Sequence, residues 1–338
     1  MRYVIGFLFS CLLIGACGEK ETPPNNTPPS NLTVTAQVNP DNSGTVSFSA
    51  TATNAVSYDF DFGNGIYSTV ATGSVSYRYP TSGTYIVNVI AKSGSGLTTS
   101  KSVTVTVTVA QSLIWADEFN TPGAPDPAKW GYDIGAGGWG NNELQYYTNR
   151  LDNAVVSGGT LKIVAKRESF SGSAFTSARL LSRSKFSFRY GKVEIAAKLP
   201  VGVGTWPATW MLGDNFLTAG WPACGEIDIM EHRGNDPNRI HGTIHYTGNS
   251  GGNGIGGTTV IQNASTEFHK YACEWTAQSI RFMVDDRVYF TTANSANLPF
   301  NQPFFLLLNV AMGGNFGGAV DPAFVSGIME IDYVRVYQ

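Results

Sequence analysis

The chain has 338 residues, of which only 14% are Asp, Glu, Lys or Arg, with 38 glycines and a formal net charge of −3. That balance excludes nucleic acid as a partner, because no basic stripe is present to neutralise phosphates. The length allows two domains or one large domain with appendages, and low charge with abundant Gly, Thr, Ser, Asn and aromatics is the usage of a secreted β protein. Beyond the N-terminus no apolar run reaches the roughly twenty residues that a membrane-spanning helix needs.

Residues 1–17 read as an export signal that takes no part in the fold. Arg2 supplies the charge ahead of the apolar run Val4–Ile14, and Leu13-Ile14-Gly15-Ala16-Cys17 resembles a bacterial lipobox with Cys17 lipidated after cleavage. An ordinary signal with an incidental cysteine fits less well, given the small residues before Cys17 and the polar Pro/Asn/Thr tether of residues 18–30 behind it. The lipid would anchor an exported protein to a bacterial outer membrane. Which face it occupies stays open, although Glu19-Lys20-Glu21 faintly resembles the surface-export signals of some Gram-negative lipoproteins. Cys11 leaves with the signal, so Cys224 and Cys273 remain. Pairing is permitted in an oxidising compartment, and two buried free thiols are equally compatible. Cysteine catalysis is not expected, because Cys224 precedes carboxylates that would raise its pKa.

Residues 31–109 predict short strands at Leu32–Val38, Thr45–Ala52, Ser57–Phe62, Ser74–Tyr79, Gly83–Ala91 and Thr98–Val107, separated by turn clusters such as Gly63-Asn64-Gly65. That spacing suggests a small immunoglobulin-like β-sandwich. Tyr58-Asp59-Phe60-Asp61-Phe62-Gly63-Asn64-Gly65 and Tyr79-Pro80-Thr81-Ser82-Gly83-Thr84-Tyr85 resemble the signatures of polycystic-kidney-disease-type (PKD) domains, with Tyr58 where a Trp is usual. No convergent acid, His or Cys set lies here, so a spacer is expected.

From Ser112 to residue 338 Trp, Tyr, Asn and Gly increase. The surest strands are Ile195–Leu199, Glu226–Glu231, His241–Tyr246, Lys270–Thr276, Ile280–Val284, Phe304–Val310 and Met329–Tyr337. No stretch keeps a capped 3.6-residue period, so helices should be few and short. An all-β sandwich of two curved sheets, a jelly roll, is the expected architecture of residues 112–338.

Within it, Cys224-Gly225-Glu226-Ile227-Asp228-Ile229-Met230-Glu231-His232 carries three acids. Alternation turns Glu226 and Asp228 to one face, and a β-bulge at Ile229-Met230 would return Glu231 to it. Positions four apart lie roughly 13 Å apart at Cα, from which two Glu carboxyls could lean to about 5–5.5 Å, the spacing of retaining glycosidases. Asp228 between them would hold a shared proton, leaving one Glu ionised as nucleophile and the other protonated as acid. A solvated strand edge or a calcium ligand set would explain the acids alone. Two aromatic clusters shift the balance, Trp206-Pro207-Ala208-Thr209-Trp210-Met211-Leu212 with Trp221-Pro222, and the Gly-rich stretch from Gly135 to Thr148. Indole faces suit the C–H faces of sugars, and Asn, Gln and Arg suit their hydroxyls.

Gly225-Glu226-Ile227-Asp228-Ile229-Met230-Glu231-His232 strongly resembles the catalytic signature of family 16 glycoside hydrolases in its bulged E-x-D-x-x-E form. Residues 137–148 and 206–212, Asp117-Glu118-Phe119, His241-Gly242-Thr243-Ile244-His245-Tyr246 and Asp332-Tyr333-Val334-Arg335-Val336-Tyr337 look like the laminarinase branch, in family order. The resemblance implies a β-jelly-roll with an open cleft and retaining, endo-acting hydrolysis of β-1,3-glucan, with Glu226 as nucleophile, Glu231 as acid/base and Asp228 tuning the pair. It implies Trp206, Trp210, Trp221 and Trp139 as subsite walls, Asn142 and Arg179 as hydroxyl contacts, and His245 as a donor near the acid/base or a structural histidine. A structural calcium on the convex side would use Asp332 with the backbone oxygens of Glu118 and Gly159; hard oxygen ligands suit it. No catalytic cofactor is implied, and a monomer is expected.

Two other readings remain. A mixed-linkage β-1,3-1,4-glucanase shares the fold, although the unbulged signature marks the dedicated enzymes of that type. A non-catalytic glycan-capture lipoprotein would gain little from buried like charges. Sulfated-galactan hydrolases share the bulge too, but the motifs lack the clustered Arg or Lys that sulfate needs.

Overall fold

The computed structural model describes residues 27–338, so the leader, Cys17 and most of the tether lie outside the described residues. The chain divides into two compact units between Val109 and Ala110.

The first unit contains β1 (Ser30–Val38), β2 (Thr45–Thr53), β3 (Ser57–Asp61), β4 (Tyr67–Val70), β5 (Ser74–Arg78), β6 (Gly83–Lys92) and β7 (Thr98–Val107). They form two sheets, ordered β1-β2-β5 and β4-β3-β6-β7. Alternation sets the faces: Val46, Phe48 and Ala50 are buried while Ser47, Ser49 and Thr51 are exposed. Phe60, Val87 and Val89 join them in one core. The PKD-like motif has a steric basis. Asp61 Oδ1 accepts the Gly63 N–H at 3.0 Å, and a Cβ on Gly63 (φ 75°) would meet the Ile86 carbonyl oxygen at 2.4 Å. Tyr58, in the usual Trp position, accepts the Ala52 N–H on its hydroxyl at 2.9 Å. Strand β4, four residues long, is too short for its alternation to stand out in the sequence.

The second unit begins with β8 (Leu113–Asp117), β9 (Gly131–Asp133), β10 (Gln145–Tyr147), β11 (Ala154–Ser157), β12 (Thr160–Phe170) and β13 (Ser173–Ser177). It continues with β14 (Arg179–Leu181), β15 (Gly191–Lys198), β16 (Thr205–Gly213), β17 (Glu226–Arg233), β18 (Asp236–His245) and β19 (Ile255–Val260). The last strands are β20 (His269–Trp275), β21 (Ser279–Val284), β22 (Arg287–Ala293), β23 (Phe304–Met312) and β24 (Ser326–Tyr337). Two one-turn helices, α1 (Phe216–Ala219) and α2 (Gly314–Gly317), match the expected shortage of helix.

One sheet runs β10-β13-β12-β24-β15-β20-β21-β22, with β11 and β8 added on β12 and β24; the other has seven strands, β19-β18-β17-β16-β23-β14-β9. The main core gathers apolar side chains from both sheets. Strand β23 is buried along its whole length, as its apolar run requires. Its Leu306, Leu308 and Val310 enter the main core. Phe305 and Leu307, one residue out of phase, join Leu181, Leu212 and Cys224 in a smaller apolar cluster on the opposite face. That opposite face of the seven-stranded sheet also carries the acids of β17.

Candidate active site

Strand β17 sits between β16 and β18, and both ladders skip at the same place. Asp228 pairs with Thr243 and Glu231 with His241, so three steps on β17 oppose two on β18. On the other side Met230 pairs with Thr209 and Asp228 with Trp210, leaving Ile229 unpaired. This is the β-bulge expected from the sequence. Its cause is packing: Ile229 and Met230 both enter the main core, 1% and 0% exposed. Glu226, Asp228 and Glu231 thereby share the other face, and the register partners of the two glutamates, His245 and His241, lie four residues apart.

Each glutamate receives an indole N–H. Trp206 Nε1 donates to Glu231 Oε1 at 3.0 Å, and Trp221 Nε1 donates to Glu226 Oε2 at 3.0 Å. Trp221 remains 47% exposed, leaving much of its ring open to solvent. His245 Nε2 lies 3.1 Å from Asp228 Oδ2 and 3.9 Å from Glu226 Oε1. The His245 ring is backed by Gly254, where a Cβ would come within 2.3 Å of its Cε1. Only glycine lets that backbone approach so closely.

The other expected contacts are more committed to the protein than their residue types imply. Arg179 pairs with Asp133 at 3.1 Å and lies over two rings, 5.0 Å from Trp139 and 4.7 Å from Trp210. It holds the two tryptophans together as a cationic pillar. Trp210 Nε1 donates to Asn309 Oδ1 at 2.7 Å, Asn309 Nδ2 to the Tyr147 hydroxyl at 3.0 Å, and Tyr147 to Glu143 Oε2 at 3.1 Å. This relay anchors the Trp210 ring to the Gly-rich stretch. Asn142 is exposed and donates to Asn315 Oδ1 at 2.8 Å, which links that stretch to α2.

Three contributors were missed from sequence. Phe316 of α2 packs 5.3 Å from Trp206 and 5.0 Å from His241. Glycines on both sides of Asn315-Phe316 were its only signal. Asn309 stood out as the one polar residue in the apolar run of β23. His241 lay four residues before His245, hence on the same strand face.

Burial dominates the electrostatics. It pushes Asp228 up to about 8, and it pushes Glu231 up to about 8 with Asp228's charge adding to the effect and the Trp206 bond opposing it. Glu226 is raised well above the ordinary carboxylate range by burial first and by Asp228 next, against His245. Both glutamates are therefore raised together, where the sequence pattern led to the expectation of a split between them. Burial thus disfavours ionisation of all three acids, and Asp228 is placed to hold the proton that Glu226 releases. Burial, then Arg233, lowers His241 to about 4, so its ring is neutral.

Away from the cleft, β24 pairs with β12 up to Ile331 and with β8 from Val334, so its neighbour changes at Asp332. Glu118 follows β8 and Gly159 precedes β12, which brings the three calcium candidates to one corner. The Glu118 carboxylate is taken by Arg335 through two bonds of 2.8 Å, leaving its backbone oxygen as the ligand expected. Asp332 is exposed and, among the described residues, its carboxylate makes no ion pair or hydrogen bond. An exposed carboxylate without a partner has the chemistry that suits a hard cation. Cys224 and Cys273 are both free and buried, so the open question of pairing resolves against a disulfide; burial raises Cys224 to about 11.

Residues 141–335 match the family model for glycosyl hydrolases family 16, and residues 25–109 match a PKD domain. A β-glucanase of Rhodothermus marinus is 48% identical over 242 residues, covering 67% of this chain and 85% of that protein. The X-ray structure of the laminarinase from Rhodothermus marinus is similar with 49% identity and TM-score 0.65, over 68% of this chain and 98% of that one. A non-specific endo-β-1,3(4)-glucanase, SCLam, is 42% identical with TM-score 0.65, over 68% of this chain and 95% of that one.

The raised acids make stability depend on pH. Asp228 and Glu231 stand at about 8 when folded against ordinary values of 3.8 and 4.5. The folded protein thus binds more protons than the unfolded chain in between, and their contribution is lost as pH rises from about 4 through about 8. Urea unfolding of Asp228→Asn should show a shallower loss across that window than wild type; an equal slope would refute the raised value.

Proposed function

The chain belongs to family 16 of the glycosyl hydrolases, and from that premise we propose a retaining, endo-acting β-1,3-glucanase in which Glu226 is the nucleophile and Glu231 the acid/base. The observation that carries the assignment is the bulged strand, which turns three acids to one face, where Trp206 and Trp221 each give one glutamate an indole N–H. The names of the Rhodothermus relatives support the substrate.

In the first step the Glu226 carboxylate attacks the anomeric carbon. The glycosidic C–O bond breaks, and the Glu231 proton passes to the leaving oxygen. The Glu226–carbon ester is then cleaved by a water that gives its proton to Glu231, so the β configuration is restored after two inversions. Asp228 holds the proton that Glu226 must shed before attack, and the Trp221 N–H favours the ionised form of Glu226. The Trp206 bond fixes the Glu231 carboxyl toward the leaving group. Trp221 supplies an open ring for sugar stacking, while Trp139 and Trp210, braced by Arg179, form a fixed wall.

Glu226→Ala should abolish release of oligosaccharides from laminarin while leaving glucan retardation in an affinity gel intact. Proton NMR should detect the β-anomer first; an α-anomer first would contradict this mechanism. Across laminarin, lichenan, barley glucan, curdlan and agarose, laminarin should be cut fastest. Faster cleavage of lichenan would favour the mixed-linkage reading, which the similarity to SCLam keeps in view.

Calcium at the Asp332 corner would tie β8, β12 and β24 together, a structural task. A chelator should then lower the melting temperature of wild type by a few degrees, about 2–4 °C for each kcal/mol of bound-ion stabilisation. Asp332→Ala should melt at the chelated value and ignore the chelator.

Export and anchoring belong to the same proposal. Their support is the sequence Leu13-Ile14-Gly15-Ala16-Cys17, with the PKD unit as a spacer between lipid and catalytic unit. Cys17→Ser should move the protein from the membrane pellet to the soluble fraction; persistence in the pellet would remove the anchor.

A further inference from the structure

Glu143 is an acid that the mechanism above leaves without a task. It stands in the Gly-rich stretch just before β10, at the end of the relay from Trp210. Donor-only groups fix the direction of that relay. An indole nitrogen cannot accept, so its bond of 2.7 Å obliges Asn309 to present Oδ1 to Trp210. The Asn309 amide nitrogen is thereby turned to the Tyr147 hydroxyl, which accepts it at 3.0 Å and sends its own proton to Glu143 Oε2 at 3.1 Å. A second chain ends on the same oxygen. The Met312 backbone N–H donates to Gln145 Oε1 at 2.8 Å, and Gln145 Nε2 donates to Glu143 Oε2 at 2.6 Å.

Both chains run one way, and Glu143 Oε2 must accept from each. Gln145 and Tyr147 are fully buried and Asn309 is 6% exposed, so solvent supplies no replacement acceptor. With the acceptor gone, the Tyr147 proton stays unpaired or turns back to Asn309. The second course requires the Asn309 amide to turn over, which sets its nitrogen against the Trp210 indole N–H, donor against donor. A loss at Glu143 is in this way passed to the ring of Trp210. Glu143 Oε1 accepts from Asn141 Nδ2 at 3.4 Å, so both carboxyl oxygens face protein donors. The task is acceptance rather than charge, and a neutral carbonyl oxygen in the same place would perform it.

We propose that Glu143 is a positioning residue for substrate binding: by accepting both chains it holds the Asn309 amide in the orientation that anchors Trp210, and so sets the affinity for glucan lying against that wall. It acts without touching the sugar. The relay stands on the geometry alone; its consequence for glucan rests on the catalytic reading above.

Laminarin kinetics and proton NMR of the full chain test it. Glu143→Met, which removes the acceptor, and Tyr147→Phe, which cuts the relay at its centre, should each raise KM about tenfold and leave kcat within about twofold. Glu143→Gln, whose carbonyl oxygen can stand where Oε2 stands, should keep the wild-type KM. The Trp210 indole proton, identified by its absence in Trp210→Phe, reads the relay without hydrolysis. It should move upfield and exchange faster with solvent in Glu143→Met and in Tyr147→Phe. An unmoved indole proton in folded Tyr147→Phe would overturn the relay. A raised KM in Glu143→Met but not in Tyr147→Phe would mean that Glu143 meets glucan directly, and would overturn its positioning role. A moved proton with unchanged KM would overturn the part of Trp210 in glucan binding, and the proposal with it. If wild type cleaves no laminarin, the functional reading falls while the indole proton still decides the relay.

Discussion

The bulge in β17 is the constraint on which the catalytic unit depends. Two consecutive apolar side chains, Ile229 and Met230, are both drawn into the core, and a strand can achieve this only by adding a residue to its ladder. The hydrophobic effect thus sets where Glu231 points. Regular alternation would already bury one of the two, so the bulge adds the burial of one more large side chain, on the order of 1.5–3 kcal/mol. The face that results is defined by packing on its reverse side.

What the core gains, the cleft gives up in part. Three acids on one buried face repel one another and resist ionisation. The protein answers with donors rather than with cations at contact distance. Trp206 and Trp221 each spend an indole N–H on a glutamate, and Arg179 acts from farther off while braced by Trp139 and Trp210. A guanidinium bonded directly to Glu226 would hold it ionised and weaken it as a nucleophile. Indole donors orient without that penalty, and the same rings present apolar faces to a sugar. The relay from Trp210 through Asn309 and Tyr147 to Glu143 ties the wall to the Gly-rich stretch.

Much of this was legible in the chain. Apolar alternation named six of the seven strands of the first unit and seven of the seventeen of the second, and the spacing of Glu226, Asp228 and Glu231 required a bulge if the three were to share a face. The motif around Gly63 could be read because a positive φ and a short approach to Ile86 leave glycine no substitute. The role of Arg179 could not. Its type suits a hydroxyl contact, but its neighbours Trp139 and Trp210 come from distant parts of the sequence and claim the guanidinium. Phe316 and Asn309 were hidden for the same reason, since one belongs to a short turn and the other to a buried run.

The sequence by itself determined the strand pattern, the three acids and their spacing, because side-chain period and residue chemistry are local properties. Tertiary structure alone decided which indole serves which glutamate, that Cys224 and Cys273 stay apart, and that all three acids are raised together. These depend on distances between strands remote in sequence and on exclusion of water from the cleft floor, and neither is encoded at any single position.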